Sequence, residues 1–408
     1  MIPHVVCVPA RDEAAAMPGL LAALAGQEGV GPVRVVLLAN GCTDGTAAAA
    51  REAARRHPVL ALRVIEATLP AGQATVGRAR GMAMEAGAGW LGAAGGGGEG
   101  LLLGTDADAL PPPGWIAANL RAVAAGAEAV GGEIRLAGEE GLPGWLRERR
   151  ALVARYWSAV RALSDRLDPL PHDPPPRHGD HTGASLAVTV AAYRDAGGVP
   201  PLATGEDNAL VAALERNGAR LRHAPDAWVA VSAREDGRAP GGMAAEMRRW
   251  RRIAETGEPH LLPGPEFWAG LFARRRALRD GFAGGAGSGP GGGPGSGLET
   301  AAAATGIDVA VLRAVARESV NAIAFVARAT PLLPPADTAE AEIVAATAAL
   351  ERMATAALER MATDALEGMA TTAPEGVATA APEAATGPAE RGTAVGPAGR
   401  AAAGSRAA

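Results

Sequence analysis

Short, largely apolar runs and longer amphipathic stretches take turns along the first third of the chain. The runs at 5–9, 33–38, 60–65 and 101–105 are bounded by Gly, Pro, Asn or Asp. Runs of that length between turn residues read as buried strands. The stretches at 13–27, 45–57 and 73–87 place apolar residues on one face and predict helices. Strands alternating with helices of this length predict βαβ units and a largely parallel sheet, hence an α/β fold.

The pattern breaks in several places. Residues 87–100 are rich in Gly and Ala and read as a surface loop before the strand at 101–105. Residues 165–181 are rich in Pro, His and Asp, which predicts a second loop, too polar for the core, of the kind that serves as a lid or substrate-binding segment. After residue 282 the chain becomes a Gly/Pro-rich linker, 283–298. Apolar spacing at Val309, Leu312, Val315, Val320 and Ile323 predicts a short helical segment within 299–345. An eight-residue repeat follows, Ala-Leu-Glu-Arg-Met-Ala-Thr at 349–355 and again at 357–363, and prolines end it. Bulky apolar residues are too sparse there to bury a core, so 346–408 is expected to be a disordered tail.

Composition narrows the function classes. All 39 basic residues are arginine, and a net charge of −5 gives no reason to expect nucleic-acid binding. Two cysteines, Cys7 and Cys42, offer neither a disulfide framework nor zinc spacing and suit a reducing compartment. No basic, apolar leader opens the chain, and no stretch approaches the ~20 apolar residues of a membrane span. The expectation is a cytoplasmic protein, with peripheral membrane contact left open by Arg274, Arg275 and Arg276.

The strand at 101–105 ends in Asp106-Ala107-Asp108. Residues i and i+2 of a strand share a side, so the two carboxylates can converge on one hard cation. Asp pairs at strand ends are also ordinary turn chemistry. The first strand ends in Pro9-Ala10-Arg11-Asp12-Glu13, and the second in Asn40-Gly41-Cys42-Thr43-Asp44-Gly45-Thr46. Both sit at the carboxyl edge of the predicted sheet, where open α/β folds bind nucleotides, although Asp44 or Thr43 can equally cap the next helix. Arg78 and Arg80 bring guanidinium groups towards the same edge. Glu206-Asp207 precedes a helical pattern and reads either as first-turn acids or as working carboxylates.

In this order, with Ala79-Arg80, Gly183-Ala184-Ser185, Thr204-Gly205-Glu206-Asp207 and Arg248-Arg249-Trp250, the motifs resemble those of family-2 glycosyltransferases over residues 3–255. The resemblance implies a GT-A fold for 1–282, a three-layer α/β/α nucleotide-diphospho-sugar transferase. It assigns the nucleotide-diphosphate sugar donor to Pro9, Arg11, Glu13, Asn40, Asp44, Arg80 and Asp106. It assigns a divalent cation (Mg2+ or Mn2+) to Asp106 and Asp108, and general-base work on the acceptor hydroxyl to Asp207 with support from Glu206. The acceptor or the phosphates would meet His181, Arg234, Arg238, Arg249 and Trp250. Three departures qualify it: Ala39 where an Asp is usual, Gly81 where Asn is frequent, and Glu246 where processive polymer synthases carry Gln. With no membrane helices, a processive synthase is not expected, and the acceptor is a small molecule, lipid-linked group or glycan. A retaining transferase and a non-catalytic sugar-nucleotide or glycan-binding module are the competing readings.

Overall fold

A computed structural model describes residues 2–93, 99–233, 243–286, 296–336 and 338–371. The predicted apolar runs are strands β1 (His4–Ala10), β2 (Val33–Asn40), β3 (Leu60–Ala67) and β4 (Leu101–Gly104); β5 (Ala129–Leu136), β6 (Leu186–Thr189) and β7 (Leu221–Val231) complete a sheet of order β3-β2-β1-β4-β6-β5-β7. Neighbours are parallel except β6, which runs antiparallel to both β4 and β5. The inner strands are buried on both faces, which is why they read as continuous apolar runs. Period-two alternation divides them between two cores. Val6, Val8, Val35, Leu37, Leu101 and Leu103 face helices Met17–Ala25 and Trp115–Ala124. Val5, Cys7, Val36, Leu38 and Leu102 face helices Val76–Ala93 and Glu206–Arg216. The result is the expected three-layer α/β/α arrangement with a mostly parallel sheet.

The expected loop at 87–100 is in part the end of a helix, which continues to Ala93 and buries Leu91. Its small residues are the contact surface: a Cβ on Gly87 would lie 2.7 Å from Cys7 Sγ and 3.0 Å from Val5 Cγ1. Only glycine lets the helix approach β1 this closely. Residues 94–98 lie outside the described residues.

The C-terminal expectations need larger corrections. Helix Pro265–Ala286 runs past the expected boundary at 282, and part of the expected linker, 287–295, lies outside the described residues. Helices Ser296–Thr305, Val309–Arg317 and Ala322–Ala329 form a packed group, with Leu298, Leu312, Phe325 and Val326 around Leu278 of the long helix. The expected disordered tail begins as helix Ile343–Thr371. Ile343, Ala346, Leu350 and Ala354 bury a stripe against Tyr156, Val160 and Leu163 of helix Gly144–Leu167 and Phe272. Arg155 adds a two-pronged ion pair to Glu351 at 2.7 Å. Sparse apolar residues suffice because the partner stripe comes from elsewhere in the chain. Strands β8 (Leu261–Pro263) and β9 (Glu340–Glu342) pair antiparallel at the base of this helix. The rest of the expected tail, 372–408, lies outside the described residues.

Candidate active site

The carboxyl ends of β1, β2 and β4 and the first turn of helix Glu206–Arg216 open onto one cleft of about 870 Å³. Its lining includes Pro9, Arg11, Glu13, Asn40, Arg80, Asp106, Asp108, Glu206 and Asp207. These residues come from positions as far apart as 9 and 207, and parallel topology brings them to one edge.

Asp106 and Asp108 alternate with buried Ala107 and Ala109, leaving both carboxylates partly exposed towards the cleft. β4 itself ends at Gly104, and the pair sits on the turn that follows, closed by Ala109 N–H donating to Asp106 C=O. Among the described residues no group of three or more His, Cys, Asp or Glu side chains gathers around a common point.

Arg80 is the hub of the site. It is 4 % exposed, and its three nitrogens are all engaged. Nε donates to Glu206 Oε1 at 3.1 Å, Nη1 to the Gly183 carbonyl at 2.7 Å and Nη2 to Asp106 Oδ1 at 2.8 Å. Burial works against the guanidinium charge, but Asp106 and Glu206 outweigh it and hold the cation. The side chain lines the cleft and ties the Asp106 turn to the helix that carries Asp207. Gly183 makes room for it, since a Cβ there would run into the guanidinium.

The two turns read as nucleotide motifs are laced to each other. Thr43 N–H donates to Asp12 Oδ1 at 2.6 Å, Ala14 N–H to Asp44 Oδ2 at 2.8 Å, and Glu13 N–H to Thr46 Oγ1 at 2.9 Å. Asp12 adopts a positive φ of 49°, a conformation Asp tolerates better than most residues. Hydrogen bonds from Thr46 and from the Ala14 amide hold the Asp44 carboxyl below the usual carboxylate range. Asp44 does not line the cleft, and its carboxylate accepts from Ala14 N–H and Thr46 N–H within the paired turns. Asn40 is buried and accepts from Leu69 N–H at 3.3 Å.

On the opposite wall, Asp207 accepts from Gly183 N–H at 2.8 Å through Oδ2 and from Asn208 N–H at 2.8 Å through Oδ1. His181 does not line the cleft; it stands behind Asn208, which does. His181 Nε2 lies 3.1 Å from Asn208 Oδ1, and His181 Nδ1 lies 3.1 Å from His223 Nε2. His223 Nδ1 in turn reaches Asp173 Oδ2 at 2.7 Å. The loop expected to be too polar for the core thus contributes a buried carboxylate. Burial pushes the Asp173 carboxyl up, but its bonds to His223 and the charge of Arg177 outweigh that and hold it at about 2. Asp173, Asn208 and His223 were missed from sequence. Asn208 had a signal in following Glu206-Asp207, whereas Asp173 and His223 lie 50 residues apart with no shared motif.

Other expected contacts fall elsewhere. Trp250 is core, 6 % exposed, with Nε1 donating to Glu246 at 2.6 Å, and Arg249 pairs with the same carboxylate at 3.4 Å. Neither lines the cleft; Met243 and Ala244 of their helix do. Arg234 and Arg238 lie outside the described residues. Arg274 donates to Gly270 and Pro334 carbonyls, Arg275 stands 4.0 Å from Asp168, and Arg276 pairs with Asp280, so these cations have protein partners. No helix among the described residues is long and apolar enough to cross a membrane.

Burial lowers the proton affinity of His4, His172, His178, His181 and His260. A histidine whose folded pKa lies below its unfolded value of about 6.5 leaves the unfolded chain binding more protons once pH falls through that value, so stability falls with pH. The thermal midpoint is therefore expected to drop between pH 7.5 and pH 5.5. An unchanged midpoint in a calorimetric pH series would contradict the burial of these rings.

Similar folds include a mannosyltransferase PcManGT from Pyrobaculum calidifontis in complex with GDP-Man and Mn2+, 20 % identical over 88 % of this chain and 86 % of that one, TM-score 0.41. S. aureus TarS 1-349 in complex with UDP-GlcNAc is 14 % identical over 84 % and 96 %, TM-score 0.41. Glucosyl-3-phosphoglycerate synthase from Mycobacterium tuberculosis, with Mn2+, UDP-Glc and phosphoglyceric acid, is 17 % identical over 64 % and 81 %, TM-score 0.36. Curated proteins give no match. The profile of "Glycosyltransferase like family 2" matches residues 3–252, well over half of the chain, and by that match the protein belongs to this family of glycosyltransferases.

Proposed function

We propose that this glycosyltransferase moves a sugar from a nucleotide-diphosphate sugar to an acceptor hydroxyl in one displacement that inverts the anomeric centre. The supporting observation is that Asp106 and Asp108 on one wall and Asp207 on the other share a single cleft and are joined through Arg80 and Glu206. Asp207 takes the hydroxyl proton as the oxygen forms its bond to the anomeric carbon. The bond from that carbon to the diphosphate oxygen breaks, and its electron pair leaves with the nucleotide. Glu206, buried against Arg80, is a positioning residue that sets the first turn of its helix.

The donor set at Asp106 and Asp108 fits magnesium or manganese. Both are oxygen ligands at the cleft surface, and Arg80 engages only Oδ1 of Asp106. A cation held there would neutralise charge developing on the leaving diphosphate, a contribution of several kcal/mol. Pro9, Arg11, Glu13 and Asn40 line the same side and suit the nucleoside.

Titration of nucleoside diphosphates by calorimetry, with and without manganese, tests the donor side. Binding is expected to strengthen with manganese, and Asp108→Asn to weaken that binding by at least about tenfold, or ~1.4 kcal/mol. Metal-independent binding would overturn the cation assignment. Running sugar nucleotides through the same titration identifies the donor, and the anomeric configuration of the product, read by NMR, decides between inversion and retention.

A further inference from the structure

The acceptor side of the cleft contains a hydrogen-bonded chain, Asp173–His223–His181–Asn208, whose hydrogens can be placed by elimination. Asp173 is 2 % exposed and accepts from the His223 backbone N–H at 2.8 Å, from Arg222 at 2.9 Å and from Arg177 at 3.3 Å. It is a pure acceptor, so His223 Nδ1 must carry a hydrogen to meet it. In neutral His223 the other nitrogen, Nε2, is then bare, and His181 Nδ1 must be the donor across their 3.1 Å contact. Neutral His181 consequently has a bare Nε2. Facing it at 3.1 Å is Oδ1 of the Asn208 side-chain amide, which a half-turn about its last bond exchanges for the NH2 group.

That amide has two ends. Against a bare Nε2 it must present its NH2 group, which turns its carbonyl oxygen towards the cleft. With Oδ1 facing the ring, Nε2 needs a hydrogen, and the two histidines then carry one extra proton between them. We propose that Asn208 is the residue that reads the acceptor, and that the Asp173–His223–His181 chain sets which end of its amide faces the cleft.

The substrate class follows from the neutral state, and this step rests on the acceptor-side assignment of Asp207. Asp207 and Asn208 are consecutive and both line the cleft. With the histidines neutral, the carboxylate and the amide oxygen form an acceptor-only surface. It matches two hydroxyl donors on neighbouring carbons, one surrendered to Asp207 and one held by Asn208. An acceptor carboxylate or phosphate set against these two side chains meets two oxygens and a donor from neither, whatever the Thr182 and Thr204 hydroxyls elsewhere in the cleft supply. The acceptor is therefore a neutral polyol or sugar diol, and a protonated chain, with the NH2 turned outward, relaxes that choice towards anions.

Burial favours the neutral state of His181, and a proton on His223 would lower its proton affinity further, against the pull of Glu215 and Asp207 from helix Glu206–Arg216. Arg177 and Arg222 flank Asp173 on the far side of His223, and His172 and His178 lie close to the same ring. Asp180 acts on His178.

The full-length protein can be tested directly by imidazole and amide 15N NMR. At pH 7.5 both His181 and His223 are expected to carry hydrogen on Nδ1 only. On acidification the pair should take up one proton, and the Asn208 side-chain amide resonances should move with the same midpoint. A His181 protonated on Nε2 at pH 7.5, or an Asn208 amide that does not follow the titration, overturns the switch. With the donor selected by the titration above, glycerol and glycerate serve as probe acceptors. Glycerol should be preferred by tenfold or more at pH 7.5, with the ratio narrowing as the pair protonates. Asn208→Leu should raise the KM for glycerol by tenfold or more, nucleotide binding being the control for folding. Equal use of the two probes at pH 7.5 overturns the polyol assignment. The NMR readout needs no substrate, so coupled titration without detectable transfer counts against the sugar-transfer reading and not against the switch.

Discussion

Asp207→Asn is expected to bind nucleoside diphosphate as tightly as the unaltered protein while transferring sugar about 10²–10⁴-fold more slowly, the usual worth of a positioned general base. The substitution keeps shape and volume. An Asn oxygen still accepts from Gly183 N–H, the bond that spans the two chain segments at 2.8 Å, so the wall stays in place. What disappears is the basic oxygen that, in the proposed reaction, would receive the acceptor proton. Asp207 accepts from the Gly183 and Asn208 amides, on its own side of the cleft, which is why binding and chemistry should separate. Single-turnover transfer measured beside nucleotide titration checks this. Transfer at the unaltered rate would remove Asp207 from the reaction, and a parallel loss of nucleotide binding would make it a structural residue. Glu206→Gln offers the contrast: it removes charge from a buried partner of Arg80 and should cost stability before it costs chemistry.

Legibility of the fold in the sequence tracked the range of the forces involved. Apolar runs such as Leu101–Gly104 and helix faces such as Leu20 and Leu24 are local signals, and the parallel sheet followed from their alternation. The C-terminal helix was misread because its core is borrowed: Ala346 and Leu350 look too sparse until Tyr156 and Leu163 supply the other half. Small residues at Gly87 looked like a loop because a close helix–strand contact and a flexible segment draw on the same composition. At the site, residue identity was legible but commitment was not. Arg80 was visible as a guanidinium near the cleft, yet only the fold shows its bonds to Glu206, Gly183 and Asp106. The bonds of Asp44 to Thr46 and of Trp250 to Glu246 were likewise invisible in the sequence. The Asp173–His223 pair had no sequence signal at all, because a contact across 50 residues leaves none in a single chain.

Arg80→Leu is expected to be the most destabilising single change in the site. Glu206 is about 5 % exposed, and removing the guanidinium leaves its carboxylate buried and unpaired, a loss of roughly 3–5 kcal/mol for such pairs. The Asp106 side chain is 39 % exposed, so water can replace part of what it loses, and its share is the smaller one. Arg80→Lys should recover only part of the stability. A single ammonium cannot meet Nε, Nη1 and Nη2 partners that arrive from three segments, whereas the planar fork does so with one pre-organised group. Arg80→Leu combined with Glu206→Gln should be more stable than the sum of the two single changes predicts, because the neutral amide removes the charge that Arg80→Leu strands. Urea unfolding of the four proteins measures that coupling. Additivity within about 0.5 kcal/mol would mean that the two side chains do not depend on each other, and that the bridge between the donor wall and the Asp207 helix lies elsewhere. Strong coupling, with manganese-dependent nucleotide binding weakened in Arg80→Leu through the released Asp106 turn, would place one buried arginine in control of both walls.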